Sequence, residues 1–299
     1  MSRARIARAA LLFAVLAAGC ADSAPRAPSA SAPTKLAAAP DEYFAADSGV
    51  RLRYRQAGTG DPVVILHGLM ASLEAVAPLA DSLSTDHRIV ALDLRGHGRS
   101  DKPSDPGAYG HEMGEDVVRL LDHLGIARAH LVGHSMGAVV SAYVASRHPD
   151  RVASASLLAA PFFADSATAV VTLAPVVAEL ERGGGLQPFI DRFIPEMPDS
   201  VAAGMSAEMT AANDRGMLIG VMRTFPELGI GREGARAART PALIVAGSLD
   251  TLRVEDRALA SWWPEARFVE VEGADHVAVF SHPVTLAAVR EQISAPKGR

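Results

Sequence analysis

The sequence predicts an α/β fold, and three observations predict it. Apolar runs of strand length recur along the chain, and several of them end in glycine-rich loops. One of these runs passes through a sharp turn directly into a helix-like segment. Between Ala160 and Thr240 the alternation of strand and helix breaks, leaving a stretch without a clear strand.

The strand is Ala129-His130-Leu131-Val132, the turn Gly133-His134-Ser135-Met136-Gly137, and the helix begins Ala138-Val139-Val140-Ser141-Ala142-Tyr143-Val144. Such a turn lifts Ser135 above the end of a sheet in a strained conformation. Glycines two residues to either side let the strand and helix backbones approach without colliding Cβ atoms. Ser135 is therefore the candidate nucleophile. An ordinary glycine-rich turn can carry the same residues, so the surrounding chain has to decide.

Pro62-Val63-Val64-Ile65-Leu66 runs into His67-Gly68-Leu69-Met70, and Arg88-Ile89-Val90-Ala91-Leu92 into Asp93-Leu94-Arg95-Gly96-His97-Gly98-Arg99-Ser100. Val152 to Ala160 forms a further strand. Pro241-Ala242-Leu243-Ile244-Val245-Ala246 forms another, ending at Gly247-Ser248-Leu249-Asp250, and Arg267 to Val271 leads to Gly273-Ala274-Asp275-His276. Ser135, Asp250 and His276 thus each follow a strand.

Together these segments resemble the α/β-hydrolase family, and the resemblance runs from about residue 41 to residue 295. It implies a mostly parallel central sheet flanked by helices, with a helical cap inserted at about residues 161–240. The family's order of catalytic residues, serine then acid then histidine, falls on Ser135, Asp250 and His276. The backbone N–H groups of Leu69 and Met136 are the oxyanion-hole donors that the resemblance implies. Ala138 departs from the third glycine common among close relatives, but it lies beyond the turn.

The residue types suit the chemistry. A serine hydroxyl is a poor nucleophile until an imidazole accepts its proton, and a carboxylate on the other ring nitrogen must hold that imidazole in the right tautomer. His276 is the best base because it follows the last strand. His134, inside the turn, should point away from the hydroxyl and reads as a packing or hydrogen-bonding residue; His67 and His97 read as orienting their loops. Asp250 ends a strand just before the helix-like segment Val254 to Trp263 and is the favoured acid. Asp275 is its rival by proximity, although consecutive side chains of an extended segment point to opposite sides. Asp93 reads as a loop-structuring residue with Arg95 as partner.

The implied activity is that of a serine hydrolase cleaving carboxylic esters through an acyl-enzyme, acting on a small ester-like molecule with an apolar portion. A serine at position 135 argues against the family's epoxide hydrolases and haloalkane dehalogenases, which use an aspartate nucleophile. The same triad also serves carbon–carbon bond hydrolysis, acyl transfer or peracid formation, and a low-turnover ligand-binding protein is the reading from outside enzymology. Within the cap region, Met197, Met205, Met209, Met217 and Met222, with Phe162, Phe163, Phe189, Phe193 and Phe225, are available for an adaptable apolar pocket. Each taken singly reads as packing between helices.

Arg3, Arg5 and Arg8 precede the apolar run Ala9 to Ala18, which is too short to span a bilayer and has the length of a signal-peptide core. Small residues lead to Cys20, the sole cysteine, as at the cleavage and lipidation site of bacterial lipoproteins. Residues 1–19 thus read as a signal peptide. Residues 20–40, rich in Ala, Pro and Ser, read as a lipid-anchored tether, and residues 41–299 as the catalytic domain. The expected location is outside the cytoplasm, at a membrane, with a secreted or periplasmic protein as the alternative. Removal of residues 1–19 takes away three arginines and lowers the formal net charge from −5 to −8, which argues against a nucleic-acid partner. No His or Cys cluster has metal-ligand spacing, and the triad chemistry calls for no cofactor and no metal.

Overall fold

The computed structural model describes residues 35–295. The expected signal peptide, Cys20 and the tether up to residue 34 lie outside the described residues. From Lys35 the chain is docked rather than free: the helical turn α1 (Lys35–Ala38) buries Leu36 completely, and Asp81 accepts the Leu36 N–H at 2.8 Å.

Eight strands form one sheet: β1 (Glu42–Ala45), β2 (Arg51–Ala57), β3 (Asp61–Leu66), β4 (His87–Leu92), β5 (Ala129–His134), β6 (Val152–Leu158), β7 (Ala242–Gly247) and β8 (Ala266–Val271). Their order across the sheet is β1-β2-β4-β3-β5-β6-β7-β8. The first two are antiparallel additions at one edge, and every pairing from β4 to β8 is parallel. The six parallel strands are those read from the apolar runs. The antiparallel pair was not foreseen.

Both faces of the central strands β3 to β7 are covered, which is why β3, β4 and β7 read as near-continuous apolar runs, whereas the edge strand β8 is only partly buried and carries Arg267 and Glu270. Side chains alternate across the pleat, so Val64, Leu66, Val90, Leu92 and Ile244 face one core while Val63, Ile65, Ile89, Ala91, Leu243 and Val245 face the other. Helices α2 (Ala77–Leu83), α3 (His111–His123) and α4 (Met136–Arg147) join successive strands from β3 to β6. Between β6 and β7 lie α5 (Ser166–Glu181), α6 (Gln187–Phe193), α7 (Asp199–Ala212), α8 (Arg215–Leu228) and α9 (Gly231–Ala237), with no strand among them. The chain closes with α10 (Arg253–Trp262), α11 (Ala278–Ser281) and α12 (Pro283–Ser294). The first core is completed by α3, α4 and α10, the second by α2 and α12.

Short polar side chains start the inserted helices. Asp165 accepts the Thr168 N–H at the head of α5, and Asp214 the Met217 N–H at the head of α8, each at 2.7 Å. Among the described residues no helix is long and apolar enough to cross a membrane.

Register delivers the loops to one place. Leu66 pairs with Gly133, His134 with Leu158, Leu158 with Val245 and Gly247 with Val271. The loops after β3, β5, β6, β7 and β8 therefore leave the sheet at the same edge, as ligand-binding loops of parallel sheets do.

Candidate active site

Ser135 sits between β5 and α4 with φ 52° and ψ −118°, a left-handed backbone that a β-carbon disfavours. The flanking glycines explain how the chain tolerates it. A Cβ at Gly133 would fall 2.1 Å from the carbonyl oxygen of Gly137, and one at Gly137 would fall 2.4 Å from that of Leu66. Both obstacles are backbone, so neither can swing aside. The Ser135 amide is anchored to the end of the neighbouring strand, donating to the Leu158 carbonyl at 2.8 Å.

The three residues expected to act together are brought together. His276 Nε2 lies 3.0 Å from Ser135 Oγ, and His276 Nδ1 lies 2.9 Å from Asp250 Oδ2. Asp250 is nearly inaccessible, its side chain 1% exposed, and its other oxygen accepts the Leu252 N–H at 2.9 Å. The His276 ring is 31% exposed. A buried carboxylate that accepts from Nδ1–H leaves Nε2 with a lone pair facing the serine, the tautomer needed to accept its proton.

Asp275, the rival acid, points elsewhere. Its Oδ1 accepts the N–H groups of Val277 and Ala278 at 3.0 and 2.8 Å, capping the entry to α11. The remaining histidines hold loops. His134 Nε2–H donates to the His276 carbonyl at 2.8 Å, and its ring packs between those of His276 and Phe280, each 5.2 Å away. His67 Nε2 accepts the Leu94 N–H at 3.1 Å, so its proton resides on Nδ1 and is donated to the Gly68 carbonyl at 2.7 Å. Burial pushes His67 and His134 down to about 4, with the neighbouring His276 adding to the effect on His134. Burial, and then proximity to His67, pushes His97 down to about 3. All three rings are neutral at pH 7.

The loop after β3 abuts Ser135: a Cβ at Gly68 would lie 3.3 Å from both Ser135 Cβ and His134 Nδ1. Leu69 follows immediately, and its N–H has no main-chain acceptor among the described residues. Met136 opens α4, where the first N–H groups lack intrahelical acceptors. Both expected oxyanion-hole donors thus border the serine.

One expected pairing is corrected. Asp93 does not bind Arg95. Its carboxylate meets Arg53 Nη1 at 3.0 Å and accepts the N–H groups of Leu73 and Arg99 at 2.7 and 2.9 Å. Arg53, 1% exposed, also binds Asp41 and Glu74, tying the loops after β3 and β4 to the antiparallel edge. Arg95 instead makes a two-pronged pair with Asp116 on α3, both contacts at 2.6 Å. Sequence proximity suggested Arg95; β2, unread in the sequence, supplies the actual partner.

The cap-region side chains divide. Phe162, Phe163 and Phe225 line an apolar cleft beside Val139 and Ala142 of α4, and Phe163 meets Phe225 edge-on at 6.4 Å. Met217 and Met222 are buried in the main core, while Met197, Met205 and Met209 pack with Ile190, Ile194 and Ala202 in a separate cluster. The rings of Phe189 and Phe193 meet 4.7 Å apart, tilted by 47° to each other. Thr251, next to Asp250, donates to the Phe193 carbonyl at 2.8 Å, fastening the insertion to the acid loop.

Comparison with known proteins agrees with this architecture. The family profile described as alpha/beta hydrolase fold matches residues 61–182. The 2-(acetamidomethylene)succinate hydrolase of Mesorhizobium japonicum is 29% identical over 266 residues, covering 82% of this chain and 92% of that protein. A 100-residue segment, 33% of this chain, is 48% identical to the dihydrolipoyllysine-residue acetyltransferase component of the acetoin cleaving system of Pseudomonas putida, but it spans only 27% of that protein's length. The solved structure of a thermophilic esterase from Thermogutta terrifontis superposes with a TM-score of 0.69 at 26% identity, over 85% of this chain and 97% of that one. The chain has the α/β-hydrolase fold. The chain spans about 27–40% of the length of the first curated relatives it matches.

Proposed function

We propose that the protein is a serine hydrolase that cleaves carboxylic esters through an acyl-enzyme. The observation that carries the reading is the unbroken pair of hydrogen bonds from Asp250 through His276 to Ser135, at 2.9 and 3.0 Å. In this reading His276 Nε2 takes the Ser135 proton as Oγ attacks the ester carbonyl, and the buried Asp250 carboxylate stabilises the imidazolium that forms. The N–H groups of Leu69 and Met136 receive the negative charge of the tetrahedral intermediate. His276 then returns its proton to the departing alkoxide, and the acyl group stays on Ser135. A water deprotonated by His276 releases the acid and restores the serine.

The apolar portion of the substrate lies under the helices at residues 166–237, which act as a cap held to the acid loop by the Thr251 to Phe193 bond. A screen of p-nitrophenyl esters from acetate to palmitate tests the reading. Turnover that disappears in Ser135→Ala supports it, and turnover that survives the substitution removes it.

We further propose that Cys20 becomes the lipidated N-terminus after export, with the domain held close to a membrane by residues 21–34. Leu36, buried in the second core, marks where the tether would meet the domain. Intact mass of the membrane fraction tests this: a diacyl or triacyl Cys20 supports it, and an unmodified Cys20 opposes it.

A further inference from the structure

Three non-glycine residues among those described have a left-handed backbone: Met70 with φ 60°, Ser135 with φ 52° and Ala159 with φ 52°. They follow the ends of β3, β5 and β6, three adjacent strands, at the edge that carries the triad. The first belongs to the loop of the expected oxyanion donor and the second is the nucleophile. Ala159 has no role in the triad, and its methyl is fully buried. A left-handed alanine costs about 1–2 kcal/mol and persists where the surroundings over-determine it.

Two bonds hold this residue's backbone. The Ala159 N–H donates to the Val245 carbonyl at 2.8 Å, and the next N–H, that of Ala160, donates to Asp256 Oδ1 at 2.9 Å. Asp256 stands on α10, six residues beyond Asp250, and is 0% exposed. No cation meets it, and its second oxygen has no partner among the described residues. Burial pushes this carboxyl well above the ordinary carboxylate range, and the nearby Asp250 acts in the same direction. A carboxyl buried without a countercharge is an expensive way to cap one N–H, so the position of that N–H is informative. On the other side of Ala159, the Leu158 carbonyl accepts the amide of Ser135 itself at 2.8 Å.

We infer that Asp256 is a positioning residue for the nucleophile: by fixing Ala160 it holds the strained turn at Ala159, and through the Leu158 carbonyl that turn sets the backbone of Ser135. The inference rests on the reading of Ser135 as nucleophile. Asp256 touches neither substrate nor the reacting atoms. Its side chain acts across two peptide units, and any acceptor of the same length at position 256 serves equally.

The test compares Asp256→Ala with Asp256→Asn in the full chain, whose Oδ1 can accept from Ala160 without a charge. Two readouts are used: the rate at which a fluorophosphonate labels Ser135, and kcat and KM on p-nitrophenyl butyrate. Asp256→Ala should slow both labelling and kcat by about 30-fold with KM changed less than about threefold, and Asp256→Asn should return both to within about threefold of wild type. If Asp256→Ala yields no folded protein by circular dichroism, Asp256→Ser, too short to reach Ala160, takes its place with the same expected losses. Labelling of the truncated variant at the wild-type rate, or an Asn variant as impaired as the Ala variant, overturns the inference. A wild-type protein that is not labelled at Ser135 instead removes the serine-hydrolase reading on which it rests.

Discussion

His134 and His276 are joined by a 2.8 Å hydrogen bond from the Nε2–H of the first to the main-chain carbonyl of the second. The residue immediately before Ser135, the proposed nucleophile, therefore holds the backbone of the proposed base, 142 positions later in the chain. Two loops that must agree to a fraction of an ångström are fastened without using either functional side chain. His134→Phe keeps a ring against Phe280 but leaves the His276 carbonyl without its donor. We expect kcat to fall about 10-fold with little change in KM, and His134→Gln, which can present an amide N–H, to recover part of the loss. Steady-state kinetics on the three proteins decide it, and an unimpaired Phe variant would refute the role.

The two aspartates near the base separate cleanly. Asp250→Asn should lower kcat by about 10³ to 10⁴, because the amide no longer selects the imidazole tautomer that faces Ser135. Asp275→Asn leaves an acceptor able to cap α11, so activity should stay within about threefold and stability within about 1 kcal/mol. Comparison of kcat and of urea midpoints checks both statements. The opposite ranking would reassign the acid.

Most of this site was legible in the sequence, because each part leaves a local mark. A strand, a glycine-flanked serine and a helix are contiguous, and Asp250 and His276 each sit a few residues past a segment that reads as a strand and is one. Asp256 left no such mark: it lies in a helix among other charged residues, and only tertiary packing buries it. Arg53 was hidden for a related reason. Its strand alternates charged and apolar residues, and the three acids around it come from residues 41, 74 and 93. Long-range ion pairing has no period to read. The short antiparallel strand β1 likewise has only four residues, too few for a pattern.

The glycines at the turn provide a test of geometry alone. Gly133→Ala and Gly137→Ala each drive a methyl into main-chain oxygen, and we expect at least about 3 kcal/mol of destabilisation or insoluble protein. Ala138→Gly, one position further, places nothing against backbone and should cost about 1 kcal/mol through helix propensity. Denaturant titration distinguishes these, and a Gly137→Ala variant of native stability would contradict the packing described.

Acid should destabilise the protein well above the carboxylate range. His67, His97 and His134 have folded pKa values of about 4, 3 and 4, below the ordinary histidine value of 6.5. Between these limits the unfolded chain binds protons that the folded chain refuses. Their contribution is therefore full above pH 6.5 and is lost as the pH falls toward 4, at about 1.4 kcal/mol per pH unit for each histidine. Asp256, whose carboxyl burial raises in the folded state, acts in the opposite sense, because the folded chain holds that proton more tightly than the unfolded one. Three histidines against one aspartate leave a net loss toward acid. Urea midpoints at pH 7 and pH 5 should fall toward the lower value, and His97→Phe should reduce the difference. Midpoints equal at the two pH values would contradict the buried neutral imidazoles.

The central claim is that Ser135, aligned by His276 and Asp250, is the group that attacks substrate. Intact-protein mass spectrometry after treatment with a fluorophosphonate tests it most directly. A single adduct is expected, mapped to Ser135 by peptide sequencing, absent from Ser135→Ala of unchanged circular dichroism and formed far more slowly in His276→Ala. An unlabelled wild-type protein, an adduct on another residue, or equal labelling of Ser135→Ala would contradict it.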